Sequence, residues 1–178
     1  RDSVDTAFDL NDRKYLLIDT AGIRKKSKVS LKLERYSVIE AIKTLDRCDI
    51  ALIMIDAQEG VTEQDTKIAG LAYERGAACI IILNKWDLIE KDNSTIGTHV
   101  MHVKDSLKYL DFAPIITVSA LSGQRLVKVF DLIDNVYDQY TKRVSTSLLN
   151  TKLAEFTERL SPPRYRNRPN KINYATQI

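Results

Sequence analysis

The chain has 178 residues, of which 44% are hydrophobic and 29% are charged, and its net charge is +3. This composition is typical of a globular chain with a sizeable core and excludes a disordered or fibrous protein. No apolar run approaches the roughly 18 residues of a membrane-spanning helix, and residues 1–3 lack signal-peptide character, so we expect a cytoplasmic protein with no membrane segment.

Strand-like and helix-like patterns alternate along the chain. A β-hairpin is predicted at residues 4–10 and 14–19 around the turn formers Asn11 and Asp12. Apolar residues at helical spacing predict helices near residues 36–45, 62–75, 96–110 and 126–140. Continuous apolar runs predict buried strands at residues 50–55, 78–83 and 115–118. Together these elements predict an α/β fold in three layers, with a mainly parallel sheet and helices on both faces.

The first candidate site segment follows the hairpin. Ligands of such sheets bind at the carboxyl ends of the strands, where the sequence has Asp19, Thr20, Ala21 and Gly22. The carboxylate of Asp19 can hold Mg²⁺, commonly through water, and Gly22 lets its backbone N–H approach a terminal phosphate. Taken alone, a turn after a strand explains this short pattern equally well.

The second candidate segment, Asn84, Lys85, Trp86 and Asp87, follows the strand at residues 78–83. The Asp87 carboxylate can accept hydrogen bonds from the N1–H and N2 amino group of guanine, a donor pair that adenine lacks. Lys85 can lay its aliphatic stem over the purine, and Asn84 can tie neighbouring loops together. Trp86 is expected to be a packing anchor. A simple polar turn explains this combination less well.

The third candidate segment, Ser119, Ala120 and Leu121, follows the strand at residues 115–118. Its backbone can present an N–H to the O6 of guanine. Small residues of this kind carry little information alone. Their order along the chain, after a phosphate element and a base-reading element, predicts a guanine-nucleotide site at the carboxyl edge of the sheet.

At these motifs the chain resembles the translation-factor class of P-loop GTPases, and more narrowly the Der family, also called EngA, of tandem-GTPase ribosome-assembly factors. The resemblance is carried by residues 19–24, 34–39, 56–65 and 84–88. It implies that residues 1–144 are the second GTPase domain of that family and that residues 145–178 begin its α+β KH-like domain.

The resemblance also implies a function and a set of partners. The function is a GTP-hydrolysing switch in large ribosomal subunit assembly. The partners are GTP and GDP, ribosomal RNA or the large subunit, and the preceding GTPase domain and KH-like domain of the same chain.

The departures from the family pattern concern phosphate binding and catalysis. The first strand, the G-x-x-x-x-G-K-[ST] loop, the first helix and a Mg²⁺-binding switch threonine are not in the sequence. We therefore expect a fragment that is inactive by itself. In the switch region Gly22, Ile23 and Arg24, Ile23 stands where Ras-like enzymes have a glutamine. The catalytic group is thus unknown, and the resemblance implies an activating monovalent ion, K⁺, near the missing loop.

Basic segments offer a second functional clue. Residues 23–35 carry six Lys and Arg against one acidic residue, and residues 142–178 carry eight against two. The first segment is interpreted as the second switch, with a solvated basic loop as the alternative; direct RNA contact is the less favoured hypothesis. In the second segment an apolar helix face ends before Pro162 and Pro163, and residues 172–174 are strand-like.

Two other functions stay open at this point. One is a nucleotide-incompetent module that binds RNA or protein. The other is a related GTPase of tRNA modification or small-subunit assembly. A metal site on His99 and His102, three residues apart on a predicted helix, is disfavoured because no cysteine or carboxylate cluster completes it, and surface histidines are the expected outcome.

Overall fold

The structure, a computed structural model, describes residues 5–18, 42–90, 94–160, 162–163 and 170–177. The chain divides into two compact units, Arg1–Tyr137 and Asp138–Ile178. The domain assignment at residues 1–144 and 145–178 stays a prediction.

The predicted hairpin is present at the start of the first unit. Strand β1 (Asp5–Leu10) pairs antiparallel with β2 (Arg13–Ile18). The two turn residues, Asn11 and Asp12, have φ of 52° and 62°. Asparagine and aspartate tolerate this left-handed conformation, and two such residues give a turn whose twist matches that of the flanking strands.

Three parallel strands form the second sheet, in the order β3 (Ile50–Asp56), β4 (Ala78–Asn84) and β5 (Ile115–Thr117). In the register, Asp56 lies opposite Asn84 and Leu83 lies opposite Thr117. The central strand, β4, is buried along most of its length, which explains its continuous apolar run. The carboxyl ends of all three strands therefore meet at one edge.

Four helices are described: α1 (Glu63–Glu74), α2 (Thr95–Ser106), α3 (Leu126–Tyr140) and α4 (Thr146–Arg159). Residues 42–45 are also helical. Helix α1 begins with the expected N-cap, Thr62, in a reciprocal capping box. The Asp65 N–H donates to Thr62 Oγ1 at 3.2 Å, and the Thr62 N–H donates to Asp65 Oδ2 at 2.9 Å. The expected stop, Gly76, has a φ of 73°.

One helix prediction needs a correction. The helix expected at residues 96–110 ends at Ser106, and a separate 3₁₀ turn, Lys108–Leu110, follows it. Leu107 and Leu110 are each only 1% exposed. Residues three apart lie on the same side of a 3₁₀ turn, so the tighter turn buries both leucines where an α-helix would rotate one away.

The core lies on both faces of the parallel sheet, because successive side chains of a strand point to opposite faces. One face carries Ile81 and Leu83 of β4 and packs against α1 and α2. The other carries Ile80 and Ile82 and packs against Val129 of α3. The predicted arrangement of helices on both faces is confirmed.

The second unit contains α4 and the segment at residues 170–177. Helix α4 ends at Arg159, before the two prolines, as expected. The strand predicted at residues 172–174 is absent, since this segment has no regular secondary structure. In place of a partner strand, the side-chain amide of Asn150 brackets Ala175, accepting its N–H and donating to its carbonyl, both at 2.9 Å.

None of the helices in the described part of the chain combines the length and apolarity needed to cross a membrane.

Candidate nucleotide-binding site

The candidate site occupies the edge at which the parallel strands end. Two of the three candidate segments follow β4 and β5 there and are described in full. The third, with Asp19, Thr20, Ala21, Gly22 and Ile23, lies outside the described residues, as do Arg24 and the basic segment at residues 23–35. The predicted Mg²⁺ ligand and the switch therefore stay predictions.

Asn84 bridges the two described segments. Its Oδ1 accepts a hydrogen bond from the backbone N–H of Ala120 at 3.0 Å. Its side-chain nitrogen lies 3.6 Å from the sulfur of Met54, and a thioether is only a weak acceptor. The amide thus fixes one loop against the other while keeping a donor for a ligand.

Lys85 has a strained backbone and a paired ammonium group. Its φ of 61° and ψ of 33° place it in the left-handed region, which costs a non-glycine residue about 1 kcal/mol or more. Its Nζ lies 2.5 Å from Oδ2 of Asp56, the last residue of β3. Strain of this kind persists where surrounding contacts hold it, and it concentrates at functional sites.

Asp56 is a buried carboxylate, with its side chain only 4% exposed. Its Oδ1 accepts the backbone N–H of Gln58 at 3.0 Å, so both oxygens have a partner. The hydrogen bond from Lys85 lowers the pKa of Asp56, against the opposing effect of burial. Sequence reasoning treated Asp56 as a strand end and did not connect it with Lys85. The parallel register of β3 and β4 is the signal that connects them.

Trp86 and Asp87 divide the work of anchoring and exposure. Trp86 is 2% exposed, its N–H donates to the Val118 carbonyl at 3.0 Å, and its ring meets His99 edge-on with centroids 5.1 Å apart. It is a packing anchor, as expected. Asp87 is in the same short 3₁₀ helix, Trp86–Leu88, but is exposed to solvent. A rigid base thus supports an accessible carboxylate.

The loop after β5 is held by its own serine. Ser119 is fully buried, and its Oγ accepts the N–H of Ser122 at 3.1 Å. Its own N–H donates to the Gln124 carbonyl at 3.2 Å. Leu121 is 91% exposed, and its N–H bonds to no described residue. Leu121 is therefore the position at which this loop has a backbone donor left for a ligand.

The two histidines line a separate cavity of about 400 Å³ between residues 57–61 and helix α2. His102 is exposed, whereas His99 is partly buried, so only one of them is a surface histidine as expected. Within the described part of the chain, no group of three or more His, Cys, Asp or Glu side chains could hold a metal ion. The interpretation that disfavours a metal site is consistent with this geometry.

Comparison with known proteins places the chain in a family. The family profile described as the elongation factor Tu GTP binding domain matches residues 2–139. The chain is 53% identical over 178 residues to GTPase Der of Geobacter metallireducens, covering all of this chain. It spans about 40% of the length of the curated relatives that it matches.

Solved structures agree on the fold. The GTPase Era of Aquifex aeolicus, bound to GDP and AlF₄⁻, is 26% identical, with a TM-score of 0.63, over 82% of this chain and 46% of that one. An Era structure with MgGDPNP and nucleotides 1506–1542 of 16S ribosomal RNA is 27% identical, with a TM-score of 0.58, over 75% of this chain and 43% of that one. The P-loop GTPase-type fold and the resemblance to Der are thereby confirmed, while the KH-like domain stays a prediction. The chain belongs to the family of the elongation factor Tu GTP binding domain.

Proposed function

We propose that this chain reads the base of a guanine nucleotide within a protein that hydrolyses GTP. The observation that supports this most directly is the hydrogen bond from Ala120 to Asn84, which holds the two base-facing loops side by side next to the exposed carboxylate of Asp87. Both loops follow strands of the parallel sheet, where ligands of α/β folds bind.

Each group at this edge has a chemical task in the proposal. Asp87 accepts the N1–H and N2 amino group of guanine, and the Leu121 N–H donates to O6. The Asn84 amide donates to N7, and the stem of Lys85 covers one face of the purine. Adenine, with an amino group at C6, would leave the Asp87 carboxylate and the Leu121 N–H without partners. The arrangement therefore discriminates guanine from adenine.

Hydrolysis needs groups beyond those that the structure describes. We propose Asp19 as a Mg²⁺ ligand, acting through water; Mg²⁺ when bound neutralises charge on the phosphates. Because Ile23 can neither orient nor activate water, we propose that K⁺ supplies part of the catalysis.

The test of hydrolysis is a turnover measurement on the full-length protein with GTP or ATP, in potassium or sodium chloride at equal ionic strength. We expect GTP hydrolysis that is faster in potassium, and no ATP hydrolysis. Equal rates in the two salts would remove K⁺ from the proposal. Equal rates with ATP would remove guanine specificity.

The cellular role that we propose is assembly of the large ribosomal subunit in the cytoplasm. Two observations support an RNA-bound switch: the net charge of +6 over residues 142–178, and the ribosomal RNA in one of the related Era structures. The second switch, at residues 23–35, and the preceding and KH-like domains would change their grip on RNA with the nucleotide state.

Co-sedimentation of the full-length protein with isolated ribosomal subunits tests this role. Binding to the large subunit that is stronger with a non-hydrolysable GTP analogue than with GDP is expected. Preference for the small subunit would favour a small-subunit assembly factor instead. Binding that ignores the nucleotide would favour an interaction module.

A further inference from the structure

The ion pair between Asp56 and Lys85 is costly by the ordinary standards of protein stability. Ordering a lysine side chain loses about 1.5–2 kcal/mol of conformational entropy. Burying a carboxylate has a desolvation penalty that its partner only partly repays. Here the lysine is still 44% exposed and its backbone is left-handed, while the carboxylate is 4% exposed. Stability alone does not account for this arrangement.

The geometry of Asp56 is suited to holding a side chain in one place. The carboxylate sits at the end of β3, directly opposite Asn84 in the register. The Gln58 N–H fixes one oxygen at 3.0 Å, and the other oxygen receives the Lys85 ammonium at 2.5 Å. An ammonium group tied at its tip cannot swing its stem, because the backbone of Lys85 is fixed at the other end by its place in the loop.

From this geometry we propose that Asp56 is a positioning residue for nucleotide binding: by holding Nζ of Lys85, it keeps the aliphatic stem flat as the surface on which the purine ring lies. The inference rests on the proposed guanine-nucleotide function. Asp56 itself does not touch the base and does not read its hydrogen-bonding edge. It contributes to affinity for any purine that Asp87 admits, and it contributes nothing to the choice among them.

The first experiment measures nucleotide affinity in the full-length protein with Asp56→Asn, using fluorescent GDP. We expect roughly a tenfold loss of affinity, in the range of couplings between contacting residues. In an Asp87→Asn background, where xanthosine diphosphate is the expected ligand, Asp56→Asn should lower affinity for that ligand by the same factor. A change in the preference between the two bases would overturn the proposal.

A double-mutant cycle with Lys85→Met separates positioning from a general structural role. Methionine keeps an unbranched apolar stem but has no ammonium group to hold. If Asp56 acts through Lys85, adding Asp56→Asn to Lys85→Met causes little further loss of GDP affinity. A full additional loss means that Asp56 supports the fold by another route and contradicts the proposal. So does an unchanged or raised affinity in Asp56→Asn alone, since the pair would then compete with the nucleotide.

Two controls keep the outcomes distinct. Asp46→Asn removes an ion pair with Arg75 near the amino ends of the strands and should leave GDP affinity unchanged. Failure of the wild-type protein to bind GDP would refute the proposed function itself, whereas wild-type binding with insensitive variants refutes only the role of Asp56.

If Asp56→Asn does not fold, NMR of the unmodified protein with GDP bound decides the matter. A Lys85 ammonium signal protected from solvent exchange supports the pairing, and one in fast exchange contradicts it.

Discussion

At the scale of single residues, Asp56 is the clearest case of a charge whose surroundings set its behaviour. The hydrogen bond from Lys85 lowers the pKa of its carboxyl group in the folded chain. A lowered folded pKa means that the unfolded state binds protons more readily, so protonation favours unfolding. The stabilisation from this carboxylate is therefore present above the ordinary aspartate pKa of about 3.9 and is lost as the pH falls through the lowered value.

This linkage predicts how Asp56→Asn changes stability with pH. The free energy of unfolding of the wild type should exceed that of the variant at neutral pH, by about 1–3 kcal/mol for a buried charged hydrogen bond. The difference should shrink below about pH 4 because the wild-type carboxylate is then protonated. Urea denaturation of both proteins across this pH range measures it.

The matched control is Asp46→Asn, whose ion pair with Arg75 is about half exposed on each side. Removing it should change the free energy of unfolding by no more than about 1 kcal/mol. A wild-type advantage over Asp56→Asn that stays constant, or grows, as the pH falls would show that the carboxylate is not held ionised by Lys85.

At the scale of elements, the capping box of α1 lets one side chain define where a helix begins. Thr62→Ala removes the acceptor for the Asp65 N–H and should lower the free energy of unfolding by about 1 kcal/mol. Thr98→Ala is the control, because Thr98 bonds only to the Ser94 carbonyl within its own helix, and alanine is the better helix former there. Chemical denaturation compares the two variants; equal destabilisation by both would mean that the cap does not fix the helix start.

The strands and most helices were predictable because their signals are local. An apolar run such as that of β4 specifies a buried strand without reference to the rest of the chain. The end of α2 was not predictable, because the need to bury both Leu107 and Leu110 appears only when the neighbouring core is in place. The strand predicted at residues 172–174 failed for a similar reason: a strand needs a partner, and among the described residues the Asn150 side chain serves that segment instead.

The candidate site divides in the same way between local and non-local information. Asp87 and Asn84 were identified because their side-chain chemistry at that spacing matches guanine. The contact between Asp56 and Lys85 depends on which strands are neighbours and in what register, and neither motif contains that information. The free N–H of Leu121 likewise emerged only once the bonds of Ser119 and Ala120 were known.

At the scale of the whole molecule, a parallel sheet explains how motifs far apart in sequence can serve one ligand. Every strand ends at the same edge, so the order of strands along the chain becomes an order of loops around a site. Charge is distributed on the same scale, since a net +6 lies in residues 142–178 while residues 1–141 carry −3. Nucleotide binding and polyanion binding are thus proposed for different parts of the chain.

The central claim is that this edge reads guanine, and titration of the full-length protein with fluorescent GDP and xanthosine diphosphate tests it most directly. The wild type should prefer GDP. Asp87→Asn, which offers a donor where aspartate offers only acceptors, should lose roughly 10- to 100-fold in GDP affinity and gain affinity for the xanthine nucleotide. Asp111→Asn, at another exposed aspartate, should change neither. A wild type that binds both nucleotides equally, or an Asp87→Asn variant that keeps its preference for GDP, would contradict the account.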